Sequence, residues 1–568
     1  MAFCAPDPSA DALVHFSHYI DLLNQNELSM LLPIFHTALE PARIPMPSQM
    51  DGNYADVEHT VWAAVISFRS ILFATVPPGA APDVWPRLWA WFQFFQLFRA
   101  FFQRLGNLLL TESQMGWEFI RFAATMVVHR PNEDLILRTA GFQALAARVW
   151  RSLVEDVDIP CQTDRLTILL ALLSLSPESI VPNQLFEGAG GTAADLALVV
   201  IANLAVILPD GITELSVAQL DNLSAVLRIV ASVDQIGDQA RSRPLCLARA
   251  EELVRYLTVA LCVASETAAT AMVCDVIPIC LSLLLEVFMT PQGYRQLQVA
   301  VRNGLLRGIL LSGQTQFPED VSRLLPLLLT HVLAPATVKY EVLVELQTAY
   351  SAVAKDATAE LSPPTAEAWA KFSRILAERL EVLKIFNSTD QYHQGGLRQH
   401  PMRDHPNARF STGNGAIANH VPITVLGTRV RSHSVEITVR LINTGLGINT
   451  DYSSRGLSFM CALLDHDYQA ARVTASSQIF TAAEPVWFDY RSADLTVEVQ
   501  APVADFQLPP DIVRRASDST GCISIHILYL SEGKQSRAFV IPLRTPKILN
   551  KVDTAMYGIH QFLTALPP

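Results

Sequence analysis

The sequence is poor in charge. Only 17% of its 568 residues are Asp, Glu, Lys or Arg, while half are hydrophobic. Disorder as the dominant state needs the opposite balance, so the chain is expected to fold. Glycine is scarce at 25 residues, too few for a collagen-like or low-complexity chain. A basic excess is also missing. With 54 acidic against 42 basic residues the formal charge is −12, so binding nucleic acid by phosphate neutralisation is not expected. No window reaches 18 uncharged apolar residues. The two best candidates are 196–208, stopped by Pro209, and 276–285, between Asp275 and Glu286. Both suit buried core helices, and no membrane span is expected. The start, MAFCAPDPSADAL, lacks the basic region and apolar core of a secretory signal. The eight cysteines (Cys4, Cys161, Cys246, Cys262, Cys274, Cys280, Cys461, Cys522) include no C-x-x-C pair. Most lie in apolar runs, where free cysteine behaves as a small hydrophobe. Reduced thiols and a cytoplasmic or nuclear location are therefore expected.

What the chain does contain, up to about residue 385, is one helical pattern after another. Val217, Leu220, Leu223, Val226, Leu227 and Val230 recur at spacings of three and four, with Ser216 placed as an N-cap. Similar segments cover 10–23, 26–39, 55–75, 82–105, 112–129, 135–156, 164–175, 192–208, 245–264, 268–289, 293–312, 318–334, 337–355 and 364–386. Pro177, Pro209, Pro244, Pro291, Pro318, Pro335 and the Pro363–Pro364 pair separate them. Short connections favour antiparallel neighbours, and a long series of such pairs predicts an α-solenoid of the armadillo or HEAT kind. Two stretches, 166–175 and the Trp/Phe-rich run 85–102, are apolar nearly all round. They are expected in an inner layer, the alternative being an exposed aromatic patch that grips a partner.

Composition changes near residue 390. Eight glycines fall between Gly395 and Gly456, and 391–433 carries five histidines and five arginines with no helical or strand period. Residues 1–385 sum to −13 and residues 386–568 to +1. Beyond this segment the pattern predicts strands at 435–441, 495–499 and 522–530. A hairpin turn at 531–534 should lead into a strand at 536–543, and helices are expected at 457–472 and 552–563. The expected organisation is mainly α: a solenoid over 1–386, a linker over 387–433 and a small α+β domain over 434–568.

Candidate chemistry is sparse. The run Gly188-Ala189-Gly190-Gly191-Thr192 has no preceding strand and no lysine before the threonine. It is expected to be a turn into a helix capped by Thr192 and Asp195, not a phosphate loop. His393, His400, Asp404 and His405 lie in an unpatterned segment that offers no scaffold for a metal cage. Asp465, His466 and Asp467 form a polar cluster after the apolar run 459–464, where a carboxylate-held histidine could serve as a base; helix-end packing is the other reading. Arg514-Arg515-Ala516-Ser517 matches a basophilic kinase site, with Ser517 as the acceptor. No cofactor is expected.

Several blocks carry a family resemblance. They are LLPIF at 31–35, LEPARIP at 39–45, VWPRLWAW at 84–91 and RGLSFMCALLDHDY at 455–468, with the helix TAEAWAKFSRILAERLEVLKIF at 365–386 and VWFDY at 486–490. Together they resemble the large fungal family of MYND-type zinc-finger proteins with a helical N-terminal region. The resemblance implies a cysteine-rich finger holding two zinc ions and binding peptides, placed here between residues 391 and 453. The chain has no cysteine from residue 281 to residue 460. Thiolates are what make such fingers fold around zinc, so no ligand carries over and finger-mediated peptide binding is not expected. Either the finger is lost in this member, or the segment reflects a retained intron or a shifted frame. The function expected is a non-enzymatic protein–protein interaction scaffold with a protein partner of unknown identity. The alternative is an enzyme with a cleft between the solenoid and the C-terminal domain near Asp465 and His466.

Overall fold

The computed structural model describes residues 13, 19–20, 22–52, 54, 57–104, 112–127, 132–156, 162–236, 249–267, 271–290, 293–314, 319–353, 361–397, 424–432, 435–443, 455–456, 459–460, 462–464, 466–467, 486–490, 496–499, 523–532, 535–544 and 559–564. The protein is mainly α-helical. It divides into two compact units, Met1–Arg249 and Ala250–Pro568. The boundary falls inside the stretch expected to form one helical array.

The first unit consists of α1 (Gln25–Met30), α2 (Leu32–Ala38), α3 (Pro47–Gly52), α4 (Glu58–Phe73), α5 (Ala81–Leu97), α6 (Arg99–Arg104), α7 (Glu112–Val127), α8 (Glu133–Leu137), α9 (Phe142–Glu155), α10 (Gln162–Ser174), α11 (Pro182–Ala189), α12 (Ala193–Ile207) and α13 (Val217–Ile236). The sequence pattern locates most of these. The expected helix 135–156 is instead two, because Gly141 turns the chain left-handed (φ 83°) between them. Pro182 opens α11, a helix the sequence pattern misses. The aromatic run is core. Phe119 of α7 lies with ring centroids 4.5 Å from Phe92, 5.1 Å from Trp85, 5.7 Å from Trp89 and 5.9 Å from Phe68. Trp85, Trp91 and Phe95 are fully buried, while Leu97 at the end of α5 is exposed. Thr192 caps α12 as expected: its hydroxyl accepts from the Asp195 N–H (3.2 Å) and Asp195 accepts from the Thr192 N–H (3.0 Å). Ser216 and Gln219 make the same reciprocal pair at the start of α13.

The second unit begins with α14 (Ala250–Glu266), α15 (Ala271–Phe288), α16 (Gly293–Arg302), α17 (Leu305–Gln314) and α18 (Glu319–Leu327). Left-handed Gly304 (φ 102°) splits what the periodicity joins as 293–312. A π-helical turn, Leu328–Leu333, follows α18 directly and leads through Ala334–Ala336 to α19 (Tyr340–Val353). This wider turn lies just ahead of Pro335, whose ring would clash with the i−4 carbonyl of a regular helix. The last helix, α20 (Pro363–Leu397), continues past the expected end at 386 and includes His393.

Among the described residues seven strands follow: β1 (Thr424–Ser432), β2 (Val435–Asn443), β3 (Val486–Asp489), β4 (Thr496–Val499), β5 (Ile523–Glu532), β6 (Gln535–Arg544) and β7 (Ile559–Thr564). Their order in one sheet is β1-β2-β7-β6-β5-β3-β4. Hairpin registers pair Ser432 with Val435 and Glu532 with Gln535, so each hairpin closes over two residues. Strand β1 occupies part of the stretch expected to be unpatterned linker. Strand β7 replaces the end of the helix expected at 552–563, because it finds β6 on one side, antiparallel, and β2 on the other, parallel. Both partners are distant in sequence, and a window of local periodicity does not contain them. Of the helix expected at 457–472, the described residues up to Asp467 are helical.

Among the described residues no single helix is long and apolar enough to cross a membrane. The pair α11 and α12 passes that test only jointly, with a 75° bend between them.

Candidate functional site

The polar cluster picked out in the sequence contains a buried ion pair between Arg379 and Asp467. Asp467 is helical, like the other described residues between 455 and 467, and is buried. Opposite it, α20 presents Arg379, which is also buried. One guanidinium nitrogen, Nη1, donates to both carboxylate oxygens, at 2.8 Å to Oδ1 and 2.7 Å to Oδ2. Tyr490, just past the end of β3, donates its hydroxyl to Oδ2. The Arg379 guanidinium carbon also lies 5.2 Å from the Tyr490 ring centroid, a cation–π distance. Outside this buried triad, half-exposed His466 places Nδ1 3.1 Å from Asp467 Oδ1.

The protonation of these groups follows from their surroundings. Burial pushes the Asp467 carboxyl upward. Hydrogen bonding from His466, the Arg379 charge and the Tyr490 hydroxyl more than offset that, holding it below the usual carboxylate range. The hydrogen bond to Asp467 raises His466 above its ordinary value against partial burial. Tyr490 is pushed well up, first by burial and then by the Asp467 charge, so it stays a donor.

The same region is tied by aromatic contacts. Phe459 is buried 5.7 Å from Phe386 of α20 and 5.8 Å from Tyr340 of α19. Arg455 lies 5.1 Å over the Tyr340 ring and donates to Asn387 Oδ1 at 3.1 Å. Arg379, Asp467 and Tyr490 come from three of the blocks that carry the family resemblance, 365–386, 455–468 and 486–490. The structure brings all three together at one carboxylate. Sequence spacing gave no signal for this, because Arg379 precedes Asp467 by 88 residues.

Asp465, His400, Asp404, His405 and Ser517 lie outside the described residues, as do the side chain of His393 and most of 391–453. Among the described residues no group of three His, Cys, Asp or Glu side chains converges as a metal site. The donor set of the finger segment, which has no thiol, does not fit the thiolate-bound zinc module that the resemblance implies. Cys262 and Cys280 are free. Burial pushes the Cys262 thiol up to about 11 and Cys280 higher still, so neither offers a ready thiolate. The glycine-rich run 188–192 closes α11 and turns into α12, with Gly188 and Ala189 still helical and Gly190 and Gly191 at positive φ. Comparison with protein-family models, with curated proteins and with solved structures finds no match.

Proposed function

We propose that this chain is a non-enzymatic protein–protein interaction scaffold: an α-solenoid followed by a small α+β domain, related to the MYND-type family but without a competent zinc finger. The observation that carries this reading is α12. A helix apolar on every side normally has every side covered. α12 packs against α9, α11 and α13, yet Leu198 and Val206 on its remaining side are 43% and 40% exposed. An uncovered apolar face on a helical array is the kind of surface that partner proteins use. The helix-on-helix packing of α7, α9, α10 and α13 supports a solenoid arrangement. The β5–β6 hairpin and the helix packed through Asp467 support the α+β assignment for the C-terminal part.

The enzyme reading rests on Asp465, outside the described residues, and on His466. Asp467 is held by Arg379 and Tyr490, a pattern that fastens elements together, and neither described cysteine offers a thiolate. Affinity purification of the full chain with mild cross-linking and mass spectrometry tests the proposal. Reproducible, near-stoichiometric recovery of one or a few proteins is expected. Recovery of nothing above background would overturn it.

A further inference from the structure

The outer side of α12 has a defined chemistry. Its solvent-facing residues are Ala194, Leu198, Ile201, Ala202, Ala205 and Val206, which at 100° per residue form one continuous stripe. Asp195 is the only polar residue on that arc, and it is engaged in the N-cap. The stripe runs the length of a helix of 15 residues.

The electrostatics around it are one-sided. From residue 166 to residue 227 the chain has no Lys, Arg or His, where the chain average would place about four or five Lys or Arg. The same span carries Glu178, Glu187, Asp195, Asp210, Glu214 and Asp221. Glu187 precedes the N-terminal end of α12, and Asp210 and Glu214 follow its C-terminal end; all three are exposed. Arg151, near the turn into α12, donates to Ala189 O at 3.0 Å and pairs with Glu155 at 2.7 Å. A surface apolar along its centre, with Asp195 at its start and Asp210 and Glu214 following its end, complements a helix of the opposite design.

We propose that the exposed face of α12 is a docking site for an amphipathic helix of a partner protein, with its apolar stripe laid along Leu198, Ile201, Ala202 and Val206 and its flanks rich in Lys and Arg. This helix-on-face mode needs apolar anchors at spacings of three, four and seven on the partner. Its basic flanks would speed encounter and fix orientation. The proposal rests on the scaffold reading above and names the partner class for it.

The test uses the full chain and two synthetic amphipathic peptides of about 18 residues, about five helical turns. Both have leucine on one face; one carries lysine on the other and its twin carries glutamate. Fluorescence anisotropy should show saturable binding of the lysine peptide, with the glutamate peptide weaker by about tenfold or more. The double variant Leu198→Lys/Val206→Lys should weaken the lysine peptide by at least about tenfold, since it puts like charge on the contact. Both positions are exposed, and circular dichroism confirms that the fold persists. The rim variant Asp210→Lys/Glu214→Lys should weaken binding a few-fold and flatten its salt dependence.

Equal affinity for the two peptides, or unchanged affinity in Leu198→Lys/Val206→Lys, would overturn the proposal. Self-association of the chain abolished by that variant would assign the face to a second copy, which also overturns it. So would binding to neutral phosphatidylcholine vesicles lost in the same variant. If purified partners are recovered equally with wild type and variant, this site is wrong while the scaffold reading stands. If none are recovered with either, the scaffold reading itself fails.

Discussion

Neutralising Asp467 should strongly destabilise the second unit. In Asp467→Asn the side chain keeps its shape, but the Arg379 guanidinium, now only 4% exposed, is left without its counter-ion. Removing one partner of a buried ion pair costs about 3–5 kcal/mol, because the remaining charge stays desolvated. Arg379→Met leaves Asp467 with Tyr490 and His466 as donors, so its cost should fall at the lower end of that range. The decisive comparison is the triple variant Arg379→Met/Asp467→Leu/Tyr490→Phe. It removes both charges and the hydroxyl that depends on them. An apolar replacement of a whole buried ionic group is often close to neutral, so the triple variant should lose far less than the sum of its parts. Urea unfolding, followed by tryptophan fluorescence and far-UV circular dichroism, reads the effect. The two units need separate transitions, since a single two-state fit does not apply to a chain of this organisation. A shift of about 1 M urea or more is expected for Asp467→Asn in the second-unit transition. Single variants within about 0.5 kcal/mol of wild type, or a triple variant as costly as the three singles added, would refute a structural role for the triad.

His466 is raised by its hydrogen bond to Asp467, so its contribution is fully present below the unfolded histidine value near 6.5 and is lost as pH rises through the higher folded value. Asp467 is lowered, so its contribution is present above the ordinary carboxyl range and is lost as pH falls through the folded value. Stability of the second unit should therefore decline on both sides of mildly acidic pH, and His466→Gln should flatten the alkaline side in thermal melts. Buried Gln143 donates to Leu137 O (3.0 Å) and Ser179 O (2.6 Å) and accepts from the Val181 N–H (2.7 Å). Gln143→Leu strands three backbone groups and should cost the first unit about 2–4 kcal/mol in urea titrations. Gly188→Ala would put a Cβ 2.0 Å from Ala144 O, forcing α11 away from α9, at a cost of about 1–3 kcal/mol or loss of soluble protein. Asn203 is buried in α12 with neither amide atom partnered, so Asn203→Leu should raise the first-unit midpoint, by about 1 kcal/mol. A clear destabilisation instead would show that the amide has a partner.

What could be read from the sequence was local. The period of 3.6 placed α4, α7, α12 and α13 within a few residues, and the Thr192–Asp195 cap follows directly from residue types three apart. The errors lie where one residue or a distant partner decides. Gly141 and Gly304 break helices whose flanking periodicity continues across the gap. The end of the chain, IHQFLT, reads as helix until β2 and β6 are available to pair with it. The polar cluster was half legible: Asp467 and His466 stand out after an apolar run. Nothing in the local pattern singles out Arg379 on its long helix or Tyr490 after VWFD. Their roles depend on three segments far apart in sequence meeting at one buried carboxylate. The uncovered face of α12 was hidden for a related reason. An all-apolar helix is expected to be covered on all sides, and only the packed structure shows which side is not.

The most direct measurement is a quantitative comparison of proteins co-purifying with the wild-type chain and with Leu198→Lys/Val206→Lys, expressed at equal levels. Loss of a reproducible partner from the variant, with that partner carrying a basic amphipathic helix, is the expected result. Identical partner sets from the two chains would contradict the assignment of α12 as the docking face.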